Sequence, residues 1–215
     1  MDIQNIQILS EKLQGLGFGA LIGQKILQHV SFRQSCFTIQ YRVIKGKDVI
    51  RFHFFFQKNE KYALLYYDAV LRKEIEIPVV VINSIDVNEL DKRMNIDWSI
   101  SETDPEKTEK IVSDLQTLSS TADGKEIADR LQIKNWTDAP VQQFITLPPR
   151  SRFEISQRFY FFNNEADISL EEAYRFLNNR WMEKAMQEKK NKKNADANSH
   201  PNEQMKPGKK KKRRS

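Results

Sequence analysis

In two segments between residues 36 and 56 hydrophobic residues recur at every second position, the period of a β-strand with one buried face. The turn sequence Lys45-Gly46-Lys47-Asp48 separates two such segments, and Lys58-Asn59-Glu60 separates the second from a third run over 62–71. A short fourth strand is predicted over 74–77, ending at Pro78. The alternating residues of the first two strands are Phe37, Ile39, Tyr41 and Val43, then Ile50, Phe52, Phe54 and Phe56. The pattern predicts an antiparallel meander with one face covered by helices.

Hydrophobic residues at spacings of three and four predict helices on both sides of this meander. A first helix should end in the glycines of GLGFGALIG, and a second is predicted over 20–29. After the meander, Asp86 with Glu89 and Asp104 before Pro105 mark two further helix starts. The predicted apolar stripes are Ile3, Ile6, Leu9, Leu13 and Leu16; Val87, Leu90 and Met94; and Thr108, Ile111, Val112, Leu115 and Leu118.

The polar segment SETDPEK, after Asp97, predicts a boundary between two parts of the chain. A short helix is predicted over 125–131. Trp136 and three prolines after it predict an irregular crossing to the next strand. The prolines are Pro140, Pro148 and Pro149.

Residues 152–184 predict one strand, one turn and one long helix. Phe153, Ile155, Phe159 and Phe161 would share one face of the strand, and Asn163-Asn164 would end it. Ser169 lies three residues before Glu172, the spacing of a capping box, so a helix should begin near Leu170. Its apolar stripe is Leu170, Ala173, Tyr174, Leu177, Trp181 and Ala185.

Together these patterns predict an α+β protein in three parts. Residues 1–98 form helices and an antiparallel sheet, and residues 99–188 form a helical segment with the strand-turn-helix, which can pack with the first part as one domain. Residues 189–215 form a basic tail that lacks the apolar residues needed to fold alone, so we expect it to be disordered.

The net charge of +6 is unevenly distributed along the chain. Residues 185–215 contain eleven Lys and Arg against three acidic residues, a net charge of +8, so residues 1–184 carry −2. No apolar run approaches the ~20 residues of a membrane span, and the amino terminus lacks the pattern of a secretory signal. We therefore expect a cytoplasmic protein with no membrane contact. The single cysteine, Cys36, is expected to be a buried filler rather than a reactive thiol.

The lysines and arginines of the tail are the candidate site. Such residues neutralise phosphates and release counterions, so they predict salt-sensitive, sequence-independent attraction to DNA or RNA. A nuclear import signal and a solubilising tail are the alternatives. An exposed aromatic set on the sheet could also stack bases, with Tyr62, Tyr66 and Arg51 as candidates. The tail residues are Lys189, Lys190, Lys192, Lys193, Lys206, Lys209, Lys210, Lys211, Lys212, Arg213 and Arg214.

No pattern of catalytic residues is present, so we expect no enzymatic activity, no cofactor and no metal site. The glycine cluster of GLGFGALIG follows a predicted helix and lacks the spacing of a phosphate loop. His29, His53 and His200 lie in three different settings, and none is paired with a serine or cysteine in a known pattern.

Four segments resemble a group of Bacteroidales gut-bacterial proteins that occur with conjugative or mobilisable elements and have no assigned activity. They are GLGFG, YYDAVLRKEIEIP, GKEIADRLQIKNW and QRFYFFNNEADISLEEAYRFLNNRW. The resemblance implies a bacterial cytoplasm, which removes the nuclear-import alternative. We therefore predict a non-enzymatic accessory or adaptor protein that contacts nucleic acid through its tail. The alternative is a protein-interaction module whose folded body binds a partner.

Overall fold

The computed structural model describes residues 3–95, 104–137, 146–161 and 167–198. The chain divides into a first unit, Met1–Leu177, and a second unit, Asn178–Ser215. The predicted boundary after Asp97 falls on residues 96–103, which lie outside the described residues.

The first unit is an α+β structure, as predicted. Its central element is a four-stranded antiparallel sheet in the order β1-β2-β3-β6. The strands are β1 (Cys36–Lys45), β2 (Asp48–Lys58), β3 (Tyr62–Arg72) and β6 (Glu154–Tyr160). Gly46, with φ +61°, supplies the left-handed residue of the two-residue turn between β1 and β2.

One face of this sheet, which we call the inner face, is covered by three helices. They are α1 (Ile3–Gly15), α2 (Leu21–Ser31) and the first turns of α6 (Leu170–Asn198). The link between α1 and α2 turns at Gly17, with φ +89°, and inserts Phe18 against the sheet. The Phe18 ring lies edge-on to Phe52 and Phe54, with centroids 5.0 and 4.8 Å away. The glycines of this segment therefore form a helix-to-helix turn that places an aromatic side chain in the core.

A second hydrophobic core joins three further helices and a small hairpin. The helices are α3 (Val87–Met94), α4 (Pro105–Leu118) and α5 (Ala122–Trp136). The predicted caps at Asp86 and Asp104 are confirmed, since each side chain accepts hydrogen bonds from the next turn's backbone. The hairpin pairs β4 (Val81–Ile82) with β5 (Ile85–Asp86).

One predicted strand is absent, one predicted helix has other bounds, and one hairpin was not predicted. Residues 74–77 form no strand, because β6 occupies the edge of β3 to which a fourth meander strand would pair. The helix predicted over 125–131 spans Ala122–Trp136, so Trp136 lies buried in the second core rather than in an irregular crossing. The hairpin of β4 and β5 was not predicted, and Asn83 and Ser84 form its turn with φ of 51° and 67°.

The predicted strand-turn-helix is confirmed at both ends of its turn. Ile155 and Phe159 pack on the inner core, and Ser169 and Glu172 form the capping box. The turn at Asn163-Asn164 lies outside the described residues. α6 continues to Asn198, past Lys189, where the disordered tail was expected to begin. Lys, Gln, Glu, Met and Ala between 182 and 197 are strong helix formers, which accounts for the added length.

The buried Tyr67 gives the fold a predicted sensitivity to alkaline pH. Its hydroxyl donates to the carbonyl oxygen of Ile168 (2.7 Å), and burial, with smaller effects from Glu172 and Asp167, raises its pKa. Above pH ~10 the unfolded chain loses a proton that the folded chain keeps, so stability should fall as pH rises. Urea denaturation across this range should show the fall. Tyr67→Phe should remove this pH dependence of the free energy of unfolding. At neutral pH the variant should be about 0.5–1.5 kcal/mol less stable, because the hydrogen bond to Ile168 is lost. An equally steep fall in this variant would contradict the assignment.

Candidate functional site

The other face of the sheet, which we call the outer face, carries charged and aromatic side chains. Strand alternation separates them from the inner core, and a β-bulge at Phe55/Phe56 places Tyr66 opposite Phe55. The second core packs at one end of this face, where Arg72 donates to the carbonyl oxygen of Ile133 in α5 (2.7 Å). At the other end Thr38, Gln57, Ala63 and Tyr160 are exposed.

A basic cleft of about 400 Å³ lies at the β1 side of the outer face. Among the described residues, its lining contains four cationic side chains, one histidine and no carboxylate. Lys25 reaches it from α2, where its Nζ donates to the Gln40 carbonyl oxygen (3.0 Å). Arg150 reaches it from the segment before β6 and donates to the Thr137 carbonyl oxygen (3.4 Å). The lining residues are Lys25, Gln40, Tyr41, Arg42, Arg51, His53, Thr137 and Arg150.

Two arginines of the cleft lie directly opposite each other. Arg42 and Arg51 are register partners on β1 and β2, so both point to the outer face. Like charges opposite each other on a sheet destabilise the pair. Arg42 is exposed and has no hydrogen-bond or ion-pair partner within the described part of the chain. An anion between these side chains would relieve the repulsion.

Arg51 also takes part in a buried ion pair. Its guanidinium bonds the Glu154 carboxylate across β3, and the two side chains are only 10% and 7% exposed. Strands β2, β3 and β6 place one other carboxylate on the outer face, that of Asp68. It accepts two hydrogen bonds from the Arg158 guanidinium, at 2.7 and 2.9 Å. Both carboxylates of this face are therefore neutralised by arginines, which leaves the positive charge of Arg42 uncompensated.

An aromatic cluster continues from the cleft along the same face. Arg51, His53 and Phe55 alternate on β2, so the basic and aromatic regions share one strand. Phe55 stacks on Tyr66 with centroids 5.0 Å apart and planes 10° apart. The other neighbours of Tyr66 are Tyr160, edge-on at 5.8 Å, and the Arg158 guanidinium, 3.9 Å above its ring. Hydrogen bonds, first to Asp68 and then to Tyr160, raise the pKa of Arg158, so its charge is retained at any physiological pH.

Of the three predicted stacking candidates only Tyr66 lies on the outer face in the aromatic cluster. Tyr62 is buried on the inner face, where its backbone N–H and carbonyl bond the Asn5 side chain. Arg51 is buried and ion-paired. The prediction for Tyr62 was wrong because the bulge at Phe55/Phe56 was not predicted. The bulge shifts the β3 register by one residue, so Tyr62 and Tyr66 lie on opposite faces.

The sequence analysis did not identify four residues of this face, namely Lys25, Arg42, Arg150 and Phe55. A signal for Arg42 was present, since Arg42 and Arg51 each lie three residues from an end of the Lys45–Asp48 turn. A two-residue turn pairs such positions. Nothing in the sequence indicates that Lys25 or Arg150 approaches them.

The tail residues of the candidate site fall in the second unit. Lys189, Lys190 and Lys193 are exposed on α6, and Lys192 belongs to the same helix. The remaining tail residues lie outside the described residues, as does His200: Lys206, Lys209, Lys210, Lys211, Lys212, Arg213 and Arg214.

Cys36 is exposed, so the expectation of a buried cysteine was wrong. It begins β1 one residue before the buried Phe37, and alternation therefore turns it to the outer face. Among the described residues no group of histidine, cysteine and acidic side chains could hold a metal ion. None of the described helices is long and apolar enough to cross a membrane.

Comparison of the chain with protein-family models, with curated proteins and with solved structures found no match.

Proposed function

We propose that this protein is a non-enzymatic, cytoplasmic accessory protein that binds nucleic acid without sequence specificity through residues 185–215. The observation that carries the proposal is the charge separation, a net +8 in this segment against −2 in the rest of the chain. Exposed Lys189, Lys190 and Lys193 on α6 support it, because a helix with several free ammonium groups can follow a phosphate backbone. The Bacteroidales resemblance suggests an association with mobile genetic elements, and the DNA of such an element would then be the ligand.

The proposal predicts binding that depends steeply on salt. Each phosphate contact adds about −0.9 to the slope of log K against log salt for duplex DNA, and about −0.7 for single strands. We expect the full chain to bind oligonucleotides of unrelated sequence with equal affinity. A chain ending at Lys184 should bind duplex at least about tenfold more weakly, with most of the salt slope lost. Fluorescence anisotropy at several salt concentrations measures both quantities.

A full-length control separates charge from length in this experiment. Replacing Lys209, Lys210, Lys211, Lys212, Arg213 and Arg214 by glutamine keeps the segment but removes six charges. This variant should lose much of the salt slope. Equal duplex binding by the full chain and the chain ending at Lys184, or no binding by either, would overturn the proposal.

A second candidate is a protein-interaction module, favoured by the exposed valines before β5. Val79, Val80 and Val81 are 82%, 39% and 67% exposed, which is uncommon for three consecutive apolar residues of a folded unit. A chain ending at Lys184 that holds one stoichiometric partner, and releases it on Val79→Ser with Val81→Ser, would support this function. Retention of the same partner by the double variant would count against these valines as the contact.

A further inference from the structure

We infer that the outer face of the sheet is a second nucleic-acid site, which takes a single strand with its backbone phosphate in the basic cleft and a base on the aromatic cluster. The inference rests on the proposed function for its ligand class. It concerns the first unit alone, and its residues are distinct from those of the tail.

The phosphate half of the site is carried by Arg42. Its guanidinium is exposed, has no partner in the described part of the chain and lies opposite Arg51, whose own charge is paired with Glu154, so the charge of Arg42 is uncompensated. Lys25 uses one of its three ammonium donors on the Gln40 carbonyl oxygen. Guanidinium and ammonium groups converge on this cleft, and none of the described residues that line it is a carboxylate, which suits a phosphate dianion or phosphodiester.

The base half of the site is carried by Phe55 and Tyr66. They are partly exposed, parallel and surrounded by exposed positions at the open end of the face. Arg158 lies over the ring of Tyr66, so we place the base on Phe55. Base stacking on aromatic side chains is tolerant of sequence, which agrees with a sequence-independent tail.

The spacing of the two halves favours single strands over duplexes. Arg51 and Phe55 lie four residues apart on β2, about 13 Å at the strand rise. A nucleotide chain lying along β2 would bring a phosphate to the cleft and an unpaired base to Phe55 within that length. In a duplex the bases are stacked on one another, and their faces are closed to an aromatic side chain.

The test uses the full chain, a labelled oligothymidine and a duplex of the same length. Arg42→Gln should weaken single-strand binding severalfold and reduce the salt slope by about 0.7, the share of one phosphate contact. Phe55→Leu should weaken single-strand binding about fivefold or more, with the salt slope and duplex binding unchanged. Lys110→Gln is the charge-matched control and Phe32→Leu the aromatic control, since both residues are exposed and neither lines the cleft nor joins the aromatic cluster.

A thermal readout tests the same residue without nucleic acid. Because Arg42→Gln removes an exposed, uncompensated cation that faces another arginine, this variant should melt at or above the temperature of the unaltered protein in low salt. Added inorganic phosphate should raise the melting temperature of the unaltered protein more than that of Arg42→Gln. Equal phosphate shifts in Arg42→Gln and in the unaltered protein would overturn the cleft as an anion site.

The outcomes separate this inference from the proposed function. If Arg42→Gln matches Lys110→Gln and Phe55→Leu matches Phe32→Leu, the second site is overturned, whereas a loss of duplex binding on removal of the tail charges still supports the proposed function. If the variant with six tail charges replaced by glutamine keeps full duplex affinity while Arg42→Gln and Phe55→Leu lose single-strand affinity, the second site is supported. Nucleic-acid binding by the tail is then overturned. A full chain that binds neither oligonucleotide overturns both.

Discussion

Gly124→Ala should destabilise the protein strongly although alanine is the better helix former. A Cβ at position 124 would lie 1.9 Å from the carbonyl oxygen of Leu118 and 2.9 Å from the Thr121 hydroxyl. The Leu118 carbonyl is backbone at the end of α4, so α4 and α5 must separate to admit a methyl group. Overpacking costs about 1–3 kcal/mol and occasionally more, and a contact of 1.9 Å with a backbone atom belongs at the upper end of that range, above the ~1 kcal/mol that alanine gains over glycine within a helix.

Thermal denaturation should show this loss as a fall of about 2–4 °C for each kcal/mol. Gly15→Ala is the matched control, because it lies at the end of α1 with nothing within 4 Å of an added Cβ. We expect that control to melt within a degree or two of the unaltered protein, or slightly higher. Equal melting temperatures for the two variants would mean that α4 and α5 pack less closely than described.

The same contact shows why some of the fold was predictable from sequence and some was not. Caps such as Asp86, Asp104 and Ser169 act on backbone groups within one turn, so their spacing identifies them. The close approach of α4 and α5 at Gly124 depends on residues that pack in the second core, and the sequence around Gly124 does not indicate it. The helix predicted over 125–131 is shorter than α5 at both ends, since it leaves out both Gly124 and Trp136.

Of the candidate sites, the basic tail could be predicted from the sequence and the outer face could not. Charge separation is a property of composition, and it could be calculated from the sequence without the fold. The outer face depends on register, which one bulge at Phe55/Phe56 changes for the far half of β3. Tyr62 and Tyr66 looked equivalent in the sequence and lie on opposite faces. Lys25 and Arg150 join Arg42 only through the packing of α2 and of the segment before β6.

Glu154→Gln should lower stability and strengthen anion binding at the same time. The Glu154 carboxylate is buried and ion-paired with Arg51, which itself lines the basic cleft. Removing one partner of a buried ion pair typically destabilises by about 3–5 kcal/mol, because a charge remains in a low-dielectric site without its counter-charge. The same removal raises the positive potential beside Arg42, so phosphate and single strands should bind more tightly.

Glu126→Gln is the control for Glu154→Gln, since it makes the same change in net charge at an exposed ion pair with Arg130. An exposed pair contributes little, so this control should leave the denaturation midpoint nearly unchanged. It should also strengthen nucleic-acid binding less than Glu154→Gln does, because its charge lies away from the cleft lining. Urea denaturation and anisotropy titrations on both variants separate the two effects. A stability loss in Glu154→Gln without tighter binding would show that Arg51 serves the fold alone, and the anion site would then depend on Arg42, Lys25 and Arg150.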